Sequence, residues 1–217
     1  MELKSEGICT YCNKTIAGRA MARHLVSCIK RKEVNETERS SGKVLLLEAR
    51  ALPFFIYFEI DGSSTLRDID EFLRSLWLEC CGHLSAFTIN NIRYCDSESD
   101  FMDDEKEMDV AVTEVLKPGM RFIHEYDFGT TTLLEMRVIA ERNGERGDIN
   151  ILARNNMPNF VCDKCKKEAK EVCPQCVWEG KGLLCNACAK THECGEDMLL
   201  PLVNSPRTGM CGYTGRD

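Results

Sequence analysis

Apolar and polar positions follow two different periods along this 217-residue chain. Val44–Glu48 and Phe54–Phe58 are dense in aliphatic and aromatic residues and are joined through Pro53, which predicts a strand pair. Asp61-Gly-Ser-Ser64 supplies a turn. Thr65 then stands three residues before Asp68, the spacing of a capping box with Asp in the Glu/Gln place. Leu66, Ile69, Phe72, Leu73, Leu76 and Trp77 follow at helical spacing, so an amphipathic helix is expected to about Leu78. His83–Ile89 reads as a strand. Met108, Val112, Val115 and Leu116 suggest a shorter helix, stopped by Lys117-Pro118-Gly119. Arg121–Asp127 and Leu133–Ala140 read as a strand pair around Gly129, and Asp148–Ala153 as a last strand. The pattern is α+β: a mixed sheet covered by helices on one face, over residues 43–158.

The flanks read differently. Gly18–Arg31 is expected to be a helix, with Met21 and Leu25 free to pack inward. Glu33–Gly42 is polar and turn-rich and reads as a linker that tethers residues 1–32 to the middle. The longest apolar stretch, Leu52–Phe58, is broken by Pro53 and is far too short to span a bilayer. The opening Met-Glu-Leu-Lys-Ser-Glu-Gly has no apolar signal core, so a cytoplasmic location without membrane contact is expected.

Charge divides the chain at the same places. Residues 1–42 carry 8 Lys/Arg against 5 Asp/Glu, residues 43–158 carry 12 against 22, and residues 159–217 carry 8 against 8. An acidic middle disfavours that region as a nucleic-acid surface, and only the N-terminal piece has the right sign.

Fourteen cysteines alter the picture most. Three fall in the first 28 residues and eight in the last 56, a clustering that argues for metal ligation in a reducing compartment rather than a disulfide framework. Cys9-Thr-Tyr-Cys12 offers two thiolates to one ion, and His24 and Cys28, four apart on the expected helix, face the same way. This is the spacing of a single zinc finger. Arg19, Arg23, Lys30, Arg31 and Lys32 lie on or after its helix and are candidates to meet phosphates; a solvated face on a protein-contact finger is the alternative.

In residues 159–217 the ligands run Cys162-x-x-Cys165, Cys173-x-x-Cys176, Cys185-x-x-Cys188 and His192-x-Cys194, enough for two zinc ions. Their alternation suggests a cross-brace resembling B-box modules, with pairs one and three on one ion and pairs two and four on the other. Spacing alone leaves sequential pairing open. Cys211 is a ninth candidate, a replacement for His192 or Cys194 or a free thiol. Three zinc ions are therefore expected, each filled by four protein ligands, which marks structural rather than catalytic metal.

Other features are weaker. Asp127-Phe128-Gly129 spells a kinase motif, but neither a glycine-rich phosphate loop nor a catalytic-loop signature accompanies it, and it reads as a turn. Asp96, Glu98, Asp100, Asp104 and Glu107 fall at calcium-loop positions, but Phe101 stands where the loop needs Gly, so a solvated acidic loop is expected. Cys80, Cys81, His83 and Cys95 offer a further metal set. Adjacent cysteines do not readily face one ion, so core thiols are expected there. His124, in a strand pattern, reads as a core histidine.

The runs His83-Leu-Ser-Ala-Phe-Thr-Ile89 and Lys117-Pro-Gly-Met-Arg-Phe-Ile-His-Glu-Tyr-Asp-Phe-Gly129 make residues 43–158 resemble the plasmid pRi open-reading-frame-three-like family, whose members are also described as resolvase-type insertion-element passengers. The tail Leu200–Tyr213 resembles that of a zinc-bearing subgroup. The resemblance implies an α+β fold and a prokaryotic, mobile-element setting, without an established activity. The chain departs from the family where Thr130–Leu134 replace its Asp, Gly, Trp and His, and where Ser85 replaces a second histidine. The expected protein is non-enzymatic, its zinc modules contacting protein or nucleic acid, with no small-molecule substrate identifiable. The alternative is an enzyme or nuclease-like accessory factor with chemistry around His83, His124 and Asp127.

Overall fold

A computed structural model describes residues 5–35, 42–96, 105–145 and 147–215. Its elements are, in chain order, β1 (Glu6–Cys9), β2 (Thr15–Ala17), α1 (Gly18–Ser27), α2 (Ile29–Asn35), β3 (Gly42–Ala51), β4 (Phe54–Asp61), α3 (Leu66–Leu73), β5 (Ser85–Ile89), β6 (Ile92–Cys95), β7 (Glu105–Glu107), α4 (Val112–Val115), β8 (Arg121–Tyr126), β9 (Thr132–Gly144), β10 (Asn150–Asn155), β11 (Glu171–Val172), β12 (Leu183–Leu184), α5 (Asn186–Ala189) and β13 (Leu200–Pro201). Ten strands form one mixed sheet in the order β2-β1-β10-β4-β3-β9-β8-β5-β6-β7, antiparallel except where β6 meets β7. A separate three-stranded sheet, β12-β11-β13, belongs to the C-terminal region.

The β3–β4 hairpin is the centre, paired over eight residue positions from Val44–Asp61 to Ala51–Phe54, with Leu52-Pro53 as a cis bond at its tip. Alternation sends Leu45, Leu47, Ile56 and Phe58 to one face and Leu46, Phe55 and Tyr57 to the other. The first face is covered by α3 through Leu66, Ile69 and Leu73, by Trp77 and Leu78, and by Phe160 and Ala169 of the C-terminal region. Thr65 caps α3 with the reciprocal Thr65–Asp68 box that the spacing predicted. The helix then widens into a π turn over Arg74–Leu78, immediately before Cys80.

The second face carries a correction. Helices lie on both faces, because α1 sets Met21 and Leu25 against Leu46, Phe55 and Tyr57. Nor is the N-terminal piece merely tethered. β1 joins the sheet edge by pairing with β10, Gly7 opposite Asn155 and Cys9 opposite Ala153. The region read as a linker begins inside α2, and its residues 36–41 lie outside the described residues. The expected single helix over Gly18–Arg31 is split at Cys28, whose extended backbone ends α1. Of the acidic stretch considered for calcium, residues 97–104 lie outside the described residues, and the Asp96 carboxylate is bound by Arg74.

Close approach of β1 to β10 requires a glycine. A Cβ on Gly7 would lie 2.2 Å from the Arg154 carbonyl oxygen and 2.9 Å from Phe55 Cζ. Gly7→Ala is expected to force the strands apart and cost about 1–3 kcal/mol, read as a lowered thermal midpoint and faster amide exchange in β1.

Candidate metal centres

All fourteen cysteines are free thiols. Thirteen of them, with three histidines, gather among the described residues into groups whose donor atoms lie within 4.8 Å of one another and that can hold a metal ion. The four groups are Cys9, Cys12, His24 and Cys28; Cys162, Cys165, Cys185 and Cys188; Cys173, Cys176, His192 and Cys194; and Cys80, Cys81, His83 and Cys211.

The first three share one local design. Each Cys-x-x-Cys pair closes a turn in which the residue after the second cysteine donates its N–H to the carbonyl of the first: Asn13 to Cys9 at 2.8 Å, Lys166 to Cys162 at 2.9 Å, Val177 to Cys173 at 3.0 Å and Ala189 to Cys185 at 3.0 Å. Asn13 and Lys166 take positive φ to close their turns. The turn aims the backbone N–H groups of the next two residues but one at the first sulfur: Tyr11 and Cys12 at Cys9, Lys164 and Cys165 at Cys162, Gln175 and Cys176 at Cys173, Ala187 and Cys188 at Cys185. Converging N–H groups favour the thiolate, which is the ligating form. Burial raises the Cys162 and Cys173 thiols, but these donors, joined by the Cys185 backbone N–H at Cys162 and the His192 side chain at Cys173, overcome it and bring them to about 6 and about 7. Cys9 is pushed up to about 11 by burial, which the Tyr11 and Cys12 N–H groups do not overcome.

In the N-terminal group Cys9 ends β1, Cys12 follows in the turn, and α1 presents His24, whose Nε2 is 3.3 Å from Cys12 Sγ. Cys28 closes the set from the end of α1. In the C-terminal region the donors cross: the first and third pairs converge, with Cys165 and Cys185 sulfurs 3.5 Å apart, and the second pair meets His192 and Cys194, with Cys176 and Cys194 sulfurs 3.6 Å apart. Cross-bracing, not sequential pairing, is the arrangement of the donors. Both ring nitrogens of His192 are buried without a hydrogen-bond partner, a costly state that a metal bond at one of them relieves.

The fourth group corrects the expectation of core thiols. The sulfurs of the adjacent Cys80 and Cys81 approach to 3.4 Å, and Cys81 Sγ lies 3.0 Å from His83 Nε2 and 3.5 Å from Cys211 Sγ. Cys81 and Cys211 are exposed. Cys95 is not part of the group; it stands on β6 opposite Ala86. Cys211 comes from the tail and serves neither C-terminal group. Three of its four donors stand in the set the sequence offers; the fourth is Cys211, 130 positions away, rather than Cys95, and the adjacency that argues against a shared ion is overcome by the turn at Gly82.

Of the residues of the enzymatic alternative, His83 and Asp127 meet and His124 stands apart, bound to Asp70. His124 is fully buried in the core, its Nε2 2.6 Å from Asp70 Oδ1. Asp127 has positive φ, accepts the N–H groups of Gly129 and Thr130 in the Tyr126–Gly129 turn, and ion-pairs with the buried Arg207, which helps hold its carboxyl below the usual range against burial. His83 lies 3.5 Å from Asp127 and belongs to the fourth group.

Of the five cations proposed for phosphate contact, Arg19, Arg23, Lys30 and Lys32 are exposed. Arg31 is not available: it is 6% exposed and bound to Glu59 at 2.5 Å and to the Leu25 carbonyl at 3.0 Å. Arg19 instead opens onto a groove of about 810 Å³ on the sheet face beside α1, which Arg50, Arg121 and Arg137 also line together with Glu48 and Glu135; Glu48 pairs with Arg50 and Arg137.

No protein-family model matches the chain, and no curated protein matches it. Among solved structures it is similar to a protein of unknown function from Methanosarcina mazei Go1, with 13% identity and a TM-score of 0.43, over 52% of this chain and 67% of that one. No helix among the described residues is long and apolar enough to cross a membrane.

Proposed function

We propose that the chain is a non-enzymatic, cytoplasmic zinc protein whose metal modules shape surfaces for a macromolecular partner. The observation that carries this is the completeness of the donor sets. The N-terminal group offers three sulfurs and an imidazole, and the C-terminal pair offers four sulfurs on one site and three with an imidazole on the other. Such sets suit tetrahedral zinc, and four protein donors leave no open position for a substrate or water. The zinc is therefore structural. The plasmid pRi open-reading-frame-three-like family, and with it a mobile-element setting, is part of the same proposal; His83–Ile89 and Lys117–Gly129 support it.

The modules expose large apolar side chains. Ile29 on α2 is 71% exposed and Trp178, beside Cys176, is 68% exposed. Exposed Trp is a common anchor of protein interfaces, so a protein partner is the first reading. A nucleic acid is the second, favoured by Arg19 and Arg121 on the groove where Arg50 and Arg137 are paired with Glu48. Capture on the immobilised full chain, with and without nuclease, separates them. Protein contact predicts nuclease-resistant capture that Trp178→Ala reduces at least tenfold. Nucleic-acid contact predicts binding that falls steeply with salt, with a log–log slope reduced by about one for each of Arg19→Ala and Arg121→Ala. Retention of nothing in either arm would end the partner reading.

A further inference from the structure

We propose that Cys80, Cys81, His83 and Cys211 hold a fourth thiolate-bound divalent ion of the zinc class, and that this ion clasps the C-terminal tail to the end of the large sheet. The first argument is geometric. Tetrahedral zinc with S and N bonds of about 2.3 and 2.0 Å sets ligand separations of about 3.5–3.8 Å. The observed separations, 3.4 Å for Cys80–Cys81, 3.5 Å for Cys81–Cys211, and 3.0 and 3.3 Å from His83 Nε2 to the sulfurs of Cys81 and Cys211, lie at or a few tenths of an ångström inside these values, and all four donor atoms fall within 4.8 Å of one another.

The second argument is that both arms of the site are held in place by groups that are not ligands. On one arm Glu79 accepts the Gly82 N–H at 2.5 Å and the Tyr126 hydroxyl proton at 3.1 Å, while the Tyr126 oxygen lies 3.4 Å from the backbone nitrogens of Cys80 and His83. Gly82 has φ of 76°, which lets the loop turn back and point both cysteines and the histidine the same way. On the other arm Arg207, fully buried, binds Asp127, the Thr130 carbonyl at 2.6 Å and Thr132 Oγ1 at 3.1 Å. Ser205 Oγ donates to the Trp77 carbonyl at 2.6 Å. Cys211 itself holds φ of 47°, a left-handed conformation rare for residues other than glycine and common where a site fixes the backbone.

The third argument is charge. Three thiolates and a neutral imidazole around a divalent ion leave one net negative charge. The guanidinium of Arg207 lies 3.7 Å from Cys80 Sγ and also pairs with Asp127, whose carboxylate is 3.5 Å from His83, so one cation faces both the thiolate and the carboxylate beside the site. Positive charge beside a ligand sulfur is the outer-shell support a thiolate-rich site uses. The role follows from where the donors come from. Three precede β5 and one belongs to the tail that leaves the C-terminal module, so the ion joins that module's exit to the sheet. Its two exposed cysteines make it the most open of the four groups, so it should be the first to release its ion.

The test uses the full chain. Native mass spectrometry of protein expressed with zinc should find one ion fewer in Cys211→Ser than in wild type, while Cys95→Ser matches wild type. This difference does not depend on how many of the other three groups are filled, so its failure is distinct from theirs. Hydrogen exchange in residues 205–213 should rise at least tenfold in Cys211→Ser, with β3 and β4 unchanged. Equal ion counts in wild type and Cys211→Ser would overturn the proposal. If Cys211→Ser lost more than one ion by misfolding, alkylation of wild type decides. Zinc should slow modification of Cys81 and Cys211 at least tenfold, and equal rates with and without zinc would overturn the proposal as well.

Discussion

Removing metal from the reduced chain with a chelator is expected to unfold residues 159–215 while leaving the ten-stranded sheet folded. Strands β11, β12 and β13 are two residues each. Buried apolar side chains in the region are few. Phe160 and Ala169 belong to the main core; Val172, Leu184 and Ala189, next to ligand cysteines, and Tyr213 in the tail remain. So small a core does not offset the conformational entropy of ordering more than fifty residues at about 1–2 kcal/mol each. The ions supply the difference: a structural zinc site contributes about 10–16 kcal/mol near neutral pH. By the same reasoning Cys162→Ser and Cys173→Ser should each release one ion and remove most protection from the module. The measurement is hydrogen exchange at Val172 and Leu184 against Leu47 and Phe58. Protection at Val172 and Leu184 that survives chelation would show that the module folds without metal.

What the sequence made legible depended on how local the signal was. The Thr65–Asp68 cap, the β3–β4 hairpin and the β8–β9 pair are written in neighbouring residues, and the structure has them. So are the Cys-x-x-Cys turns. Their alternation suggests cross-bracing, but spacing alone leaves sequential pairing open, and only the positions of the donors decide between them. Three kinds of feature were not legible. The docking of the N-terminal piece rests on Gly7, whose lack of a side chain carries no apolar signal but lets β1 approach β10. The fourth group joins Cys211 to residues 130 positions earlier, a pairing set by the path of the tail. Arg31 was taken for a surface cation because it follows Lys30 in a basic run. Its burial is decided by Glu59, which looked like one more acidic residue in an acidic region.

That last pair carries the second large effect. Glu59 on β4 is fully buried and accepts from Arg31 of α2 at 2.5 Å and from Arg142 of β9 at 2.7 and 2.9 Å. Burial by itself would raise its carboxyl; hydrogen bonds from Arg142 and Arg31 reverse this and hold it at about 2, below its ordinary 4.5. Glu59→Gln keeps the shape but leaves Arg31 buried with no opposite charge, and removing one partner of a buried pair costs about 3–5 kcal/mol. The loss should appear at neutral pH as a lowered denaturation midpoint, and Arg31 ties α2 to the sheet, so exchange in α2 should rise with it. The pH dependence has a fixed sign. A carboxyl depressed in the folded state stabilises fully above its unfolded value, and that stabilisation is lost as pH falls from 4.5 toward 2. Acid also strips zinc from thiolates, so the readout is the stability difference between wild type and Glu59→Gln at each pH. That difference should shrink by about 3 kcal/mol across this window. A difference that stays constant from neutral pH to pH about 2 would show that Glu59 is not held ionised by its two arginines.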